Sequence, residues 1–92
     1  MVERLRKTFL VEAYVPQLDD GVAAEVTARL RSAADALRAS GSPVEWLGAF
    51  AVQGDETLFS VVGAENASQV GRLTEDAGLS PAHIAEVLTF AR

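Results

Sequence analysis

Two glutamates stand in the middle of segments that otherwise have the composition of buried strands. Glu12 is the centre of residues 9–15, and Glu86 lies within residues 84–90. A carboxylate inside an apolar strand costs free energy unless a proton, a ligand or a partner group offsets that cost. In an apolar chamber, desolvation and a second carboxylate both favour the protonated form that a general acid requires. Glu12 and Glu86 are therefore the candidate catalytic residues, each as a general acid or base.

The same two glutamates have a second interpretation, in which no chemistry takes place. Each would then pair with an arginine of a second copy of the chain, drawn from Arg4, Arg6 and Arg92, as a satisfied interfacial charge. The sequence leaves both interpretations open.

His83 is the single histidine of the chain, which has no cysteine. Disulfides, thiol chemistry and thiolate metal sites are thereby excluded. Imidazole nitrogens supplemented by carboxylates suit divalent transition metals, so a metal site would join His83 to Glu12 and Glu86, or repeat ligands across a dimer axis. The alternative is a surface or capping histidine just after the Ser-Pro turn at residues 80–81.

Four further residues are candidates for holding a small molecule: Tyr14, Trp46, Phe50 and Ser60. Aromatic rings commonly form the walls of apolar pockets and stack on aromatic or polyketide-like ligands, and a tyrosine hydroxyl orients a polar group of the ligand. Packing between two protein surfaces uses the same aromatic side chains without a ligand. The sequence does not separate these two roles.

The elements that must position these residues follow from the apolar pattern. Alternation of β-branched and aromatic residues predicts strands, and apolar residues at every third or fourth position predict helices. The predicted strands are residues 8–15, 44–52, 56–63 and 84–90, and the predicted helices are residues 20–40 and 67–77. Gly41 is expected to end the first helix, and Gly54 to supply the positive φ of a hairpin turn between the middle strands.

This element order predicts an α+β fold of the ferredoxin-like βαββαβ type, with a four-stranded antiparallel sheet and both helices on one face. The prediction covers residues 1–92 as one domain, with residues 1–7 as a flexible N-terminal arm. The first and last strands are neighbours in such a sheet, so Glu12 and Glu86 are expected to share a face.

The sheet face without helices is expected to be covered by a second copy of the chain. Alternation places on it Leu10, Glu12, Tyr14, Trp46, Phe50, Leu58, Ser60, Glu86 and Leu88. The residues between them, including Leu47, Phe59, Val61 and Val87, are then expected under the helices. Exposed aromatic side chains and a hydrophobic fraction of 49% predict a homodimer of the dimeric α+β barrel type, whose packed sheets enclose the polar residues.

Charge and hydropathy exclude two classes of partner. A net charge of −5 argues against binding to the phosphate backbone, so no nucleic-acid partner is expected. No apolar run approaches the roughly 18 residues of a membrane span, so no membrane partner and a cytoplasmic location are expected.

Three segments resemble a family of small actinobacterial proteins: FLVEAYVP at residues 9–16, VEWLG at residues 44–48 followed by Asp55 and Glu56, and AGLSPAHI at residues 77–84 with Glu86. Members of this family are ferredoxin-like dimers described as nickel-binding proteins or as domains of unknown function. The resemblance covers nearly the whole chain. It implies the same fold, a homodimer, and nickel as the bound ion.

The function expected from the sequence is binding of a small molecule or a metal ion between the sheet faces of a dimer, with nickel implied by the resemblance. One alternative is a cofactor-free isomerase, cyclase or oxygenase that uses Glu12 or Glu86 for proton transfer. The other is a structural or regulatory dimer without a ligand. The interior carboxylates favour chemistry or ion binding, whereas the single histidine argues against a metal site.

Overall fold

The computed structural model describes residues 6–88, and its element order confirms the predicted α+β fold. The strands and helices are β1 (Lys7–Tyr14), α1 (Asp20–Ala39), β2 (Glu45–Val52), β3 (Thr57–Ala64), α2 (Ala67–Asp76) and β4 (His83–Val87). Of the predicted flexible arm, residues 1–5 lie outside the described residues, whereas Lys7 already belongs to β1. Residues 89–90, the end of the predicted last strand, also lie outside them. Within residues 6–88, no helix combines the length and the hydropathy that crossing a membrane requires.

The sheet has the order β2-β3-β1-β4, and every neighbouring pair of strands is antiparallel. The first and last strands are therefore neighbours, as predicted. Both helices lie on one face, where the strands and helices share a single core. Its principal members are Phe9 and Val11 of β1, Leu58 and Val62 of β3, Val26, Leu30 and Leu37 of α1, and Val70 and Leu73 of α2.

Local signals fix both ends of α1. The carboxylate of Asp19 accepts a hydrogen bond from the backbone N–H of Val22 at 2.8 Å, which satisfies one of the free donors of the first turn. At the other end Gly41 adopts a φ of 102°, and the N–H of Ser42 returns to the carbonyl of Leu37 at 2.9 Å. The predicted end of the first helix at Gly41 is confirmed.

The hairpin between β2 and β3 differs from the prediction. A 3-10 turn, Gln53–Asp55, connects the strands, and the left-handed conformation falls on Glu56, with φ 49°, rather than on Gly54. A non-glycine residue in this region is uncommon and needs support from its surroundings. The side chain of Glu56 provides that support through contacts described below.

The two faces of β3 are the reverse of those predicted. The register with β1 pairs Val11 with Ser60, and both residues are buried under the helices. Phe59 and Val61 therefore lie on the side away from the helices. Both faces of β3 carry apolar residues, so alternation along the strand does not show which face lies under the helices. We call this choice of face the phase of the strand. Pairing with β1, whose phase was predicted correctly, decides it.

The prediction of Trp46 on the sheet face without helices is wrong, and a β-bulge in β2 is the reason. The register shifts between Trp46 and Gly48, which makes Leu47 an extra residue without a partner in β3. Trp46 pairs with Val62 and packs against the core, contrary to the prediction. After the bulge the alternation resumes, and Phe50 lies on the side away from the helices, as predicted.

The phase of β4 is also reversed. Glu86 pairs with Phe9 and so lies on the helix side of the sheet, whereas His83 pairs with Glu12 on the opposite side. The strand is short and lies at the edge of the sheet, and apolar residues occupy both of its faces. Its own sequence therefore gave no reliable phase.

Candidate functional site

The strongest candidate site lies on the sheet face away from the helices, which we call the open face. According to the registers of the four strands, its residues include Thr8, Leu10, Glu12 and Tyr14 of β1, Gly48, Phe50 and Val52 of β2, Thr57, Phe59 and Val61 of β3, and His83, Ala85 and Val87 of β4. No described element covers this surface, because both helices pack on the other face.

Two phenylalanines form the apolar centre of the β2–β3 half of the open face. Phe50 and Phe59 stand opposite each other, and their rings stack with centroids 5.0 Å apart and planes inclined by 19°. Phe50 nevertheless remains 54% exposed. A stacked aromatic pair continuous with Val52, Val61 and Leu10 is the kind of exposed apolar patch that marks a binding surface.

Glu12 and His83 form a polar pair on the β1–β4 half of the open face. They are direct partners across the two strands, a geometry that brings Cβ atoms to about 4.5–5.5 Å. The N–H of Ala82 donates to the carbonyl of Glu12 at 2.8 Å, which fixes the chain beside the histidine. Within residues 6–88 neither side chain makes a hydrogen bond or an ion pair. Both side chains are therefore unpaired among the described residues.

Glu86, the second predicted catalytic residue, does not join this pair. It lies on the other face of the sheet, and its side chain is 51% exposed, with a carboxylate oxygen 4.0 Å from Nζ of Lys7. The prediction that the two glutamates share a face is therefore wrong. Glu86 has the position of a solvated surface charge, for which an ion pair of this kind contributes little free energy.

Of the three arginines that are candidate partners of the glutamates, Arg6 lies within the described residues. Arg6 donates to Glu45 of the same chain at 2.6 Å, so its guanidinium already has a carboxylate partner. Arg4 and Arg92 lie outside the described residues.

Two of the four predicted ligand-binding residues are under the helices. Ser60 is 1% exposed, and its hydroxyl has no hydrogen-bond partner within residues 6–88. Trp46 contacts α1, where the guanidinium of Arg31 lies 5.7 Å from the ring centroid. Neither side chain reaches the open face, so only Tyr14 and Phe50 of the predicted set are positioned to contact a ligand there.

Tyr14 is held at the end of the open face by Glu56, a residue that is not among the predicted site residues. The phenol donates to one carboxylate oxygen of Glu56 at 2.9 Å, and the backbone N–H of Gln17 donates to the other. Gln17 and Glu56 both have positive φ, of 60° and 49° respectively. The carboxylate thus joins two left-handed residues that are 39 positions apart. Such a long-range contact leaves no local sequence signal.

The hydrogen bond and the negative charge of Glu56 raise the pKa of Tyr14 above 10.0, because both oppose formation of the tyrosinate. The folded protein therefore holds the phenolic proton more tightly than the unfolded chain does. Any stability gained from this contact is fully present below the unfolded value of 10.0 and is lost as the pH rises through the higher folded value.

Tyr14 is the single tyrosine of the chain, so tyrosinate absorbance reports on it alone. We expect a spectrophotometric titration of the native protein to give a pKa above 10.0, and the Glu56→Gln variant to return it towards that value. The urea-unfolded protein is the control and should titrate near 10.0. An identical titration curve for the native protein and the variant would show that Glu56 does not perturb the phenol.

One chain supplies only part of a metal site. Among residues 6–88, no group of three or more histidine, cysteine, aspartate or glutamate side chains is placed to hold an ion. The pair Glu12 and His83 offers one carboxylate and one imidazole, which are suitable donors for nickel but too few for a closed coordination shell. Glu86, the third predicted ligand, faces the other side of the sheet.

Comparison with known proteins supports the fold. No family model matches the sequence, and no curated protein sequence matches it. The solved crystal structure of SCO4226 from Streptomyces coelicolor A3(2) is similar to this chain, with a TM-score of 0.68 and 22% sequence identity over 91% of this chain and 99% of that chain. At this identity the likeness shows a shared ferredoxin-like α+β fold and carries no information about the ligand.

Proposed function

We propose that the protein is a homodimer that binds a small molecule or a metal ion between the open faces of its two copies. The observation that carries this proposal is the pair Glu12 and His83, whose side chains have no partner within residues 6–88 and which lies beside an exposed, stacked aromatic cluster. Polar groups without partners next to an apolar wall are typical of a ligand site.

The apolar side chains of the open face support the dimer. Phe50, Val52 and Tyr14 are 54%, 40% and 61% exposed, although the chain is too short to build a large core of its own. Two sheets packed face to face would bury roughly 1,200 to 2,000 Å² and remove this surface from water. Glu12 and His83 would then line the space between the sheets instead of facing bulk solvent.

Nickel is the ion that the family resemblance implies, and twofold symmetry makes the ligand count more favourable. A dimer contains two copies of Glu12 and of His83, which doubles the donors that a single chain offers. Imidazole and carboxylate suit nickel, and the absence of cysteine disfavours ions that require thiolates.

Calorimetric titration of the purified protein with nickel tests this proposal. We expect His83→Ala and Glu12→Gln each to weaken binding by at least about tenfold, equivalent to about 1.4 kcal/mol, because each removes one ligand. Glu86→Gln is the matched control, since it makes the same chemical change on the other sheet face, and should leave the isotherm unchanged.

Two outcomes would contradict the metal assignment. The first is the absence of heat at near-millimolar nickel, and the second is an isotherm that His83→Ala leaves unchanged. Native mass spectrometry then separates the remaining cases. A dimer that retains an organic molecule would support small-molecule binding, and a dimer that retains nothing would support a structural role.

A second candidate function is cofactor-free proton transfer by Glu12. Its support is the position of Glu12, which is partly buried, makes no hydrogen bond through its carboxylate within residues 6–88, and faces an imidazole across the strand pair. A carboxylate in that setting is available as a general base, with His83 within reach of the same bound group. Isomerases, cyclases and oxygenases of this fold are an analogy for the reaction type only.

A further inference from the structure

A small cavity on the helix side of the sheet takes no part in the function proposed above. It has a volume of about 170 Å³ and lies where α1 crosses the edge strand β2. The residues that line it are Arg31, Ala34, Asp35 and Arg38 of α1, and Glu45 and Trp46 of β2. Four of these six side chains carry a charge, so the pattern of charges decides what the cavity can bind.

The two carboxylates of the cavity are already occupied. Asp35 accepts a hydrogen bond from Arg38 at 2.9 Å, and Glu45 accepts one from Arg6 at 2.6 Å. Arg31 is different, because within residues 6–88 it has no carboxylate closer than 4.0 Å and its guanidinium lies over the indole ring of Trp46. The cavity therefore contains one cation that lacks an anion.

Trp46 adds a second unsatisfied group. Its indole N–H is buried, and within residues 6–88 no acceptor lies within hydrogen-bond distance. A buried donor without an acceptor costs free energy, and most such groups in native proteins are paired. This N–H is closed off from solvent, so the donor that the cavity offers to an entering group is the guanidinium of Arg31.

We propose that this cavity binds a compact oxyanion, a carboxylate or a phosphate group. The planar guanidinium of Arg31 offers a fork of donors that matches both groups, and Arg38 lies on the same wall. The volume suits an isolated anionic group, since sites for whole drug-sized ligands measure about 300 to 1,000 Å³. The cavity is on the opposite side of the sheet from Glu12 and His83, so the two sites are independent.

Trp46 is the single tryptophan of the chain, so its fluorescence reports on this cavity directly. Acetate and inorganic phosphate are titrated separately into the native protein, with sodium chloride at matched ionic strength as the salt control. We expect a saturable change in emission in the millimolar range with at least one of the two anions and none with chloride. The anion that saturates first identifies the preferred group.

Variants assign the binding to Arg31. Arg31→Gln should weaken the binding of the saturating anion by at least about tenfold. Equilibrium dialysis is used for this measurement, because it does not depend on the fluorescence of the indole ring, which the substitution itself can change. Arg72→Gln is the matched control, because Arg72 is an exposed arginine on α2 that pairs with Asp76. The Arg72→Gln variant should bind the anion with the affinity of the native protein.

Two results would overturn the proposal. One is an emission change that stays linear in concentration for both anions or is equal for chloride. The other is saturable binding that Arg31→Gln leaves intact. The Phe50→Glu variant separates this site from the function proposed for the open face, since it should keep the anion affinity whether or not the protein dimerises.

Discussion

The Phe50→Glu variant is expected to weaken self-association by at least about a hundredfold, equivalent to about 2.7 kcal/mol. Phe50 is 54% exposed and stacks on Phe59 at the centre of the open face. A glutamate there would remove one ring of the stack and place a carboxylate in the proposed interface between two apolar sheets, where an unpaired charge is strongly unfavourable. The fold of the single chain should change little, because Phe50 is not part of the buried core.

Ala51→Glu provides the matched control for this experiment. Ala51 is the next residue of β2, is also exposed, and faces the other side of the sheet. The same charge is therefore added one position away from the proposed interface. Sedimentation velocity at micromolar concentration should show a dimer for the native protein and for Ala51→Glu, and a monomer for Phe50→Glu. A native protein that sediments as a monomer would refute the dimer and the shared site.

The Val62→Ala variant is expected to lower the free energy of unfolding by about 2 to 3 kcal/mol. Val62 is completely buried between the sheet and the helices, so its truncation removes apolar contacts and leaves a cavity. A domain of this size has a total stability of only about 5 to 10 kcal/mol, which makes this a large fraction.

Val61→Ala is the natural comparison, since it makes the same chemical change at the adjacent residue. Val61 lies on the open face and is only partly buried in the single chain, so its truncation should cost less than about 1 kcal/mol. Urea denaturation of both variants in the Phe50→Glu background removes any contribution from dimerisation. A larger loss for Val61→Ala than for Val62→Ala would mean that Val61 rather than Val62 lies under the helices, as the sequence analysis predicts.

The sequence was sufficient wherever the signal was local. The apolar stripe of α1 and the glycine at its end determine a helix within a few residues of the predicted bounds. The alternation of β1 is clear, because Glu12 and Tyr14 interrupt one side while Phe9 and Val11 are buried on the other. Each of these features depends on residues that are close in sequence, within about one or two helical turns or strand repeats. The local sequence therefore specifies them independently of the rest of the fold.

The composition of the candidate site depended on contacts between distant segments. A strand that is apolar on both sides has no preferred phase of its own, and so the register with β1 decided that Ser60 and Glu86 turn towards the helices and His83 turns towards Glu12. The contact of Glu56 with Tyr14 joins residues 42 positions apart. The sequence by itself determined the elements, their order and the phase of β1. Only the tertiary structure decided which side chains meet, because hydrogen bonding between strands, rather than the pattern within one strand, sets the face on which each residue lies.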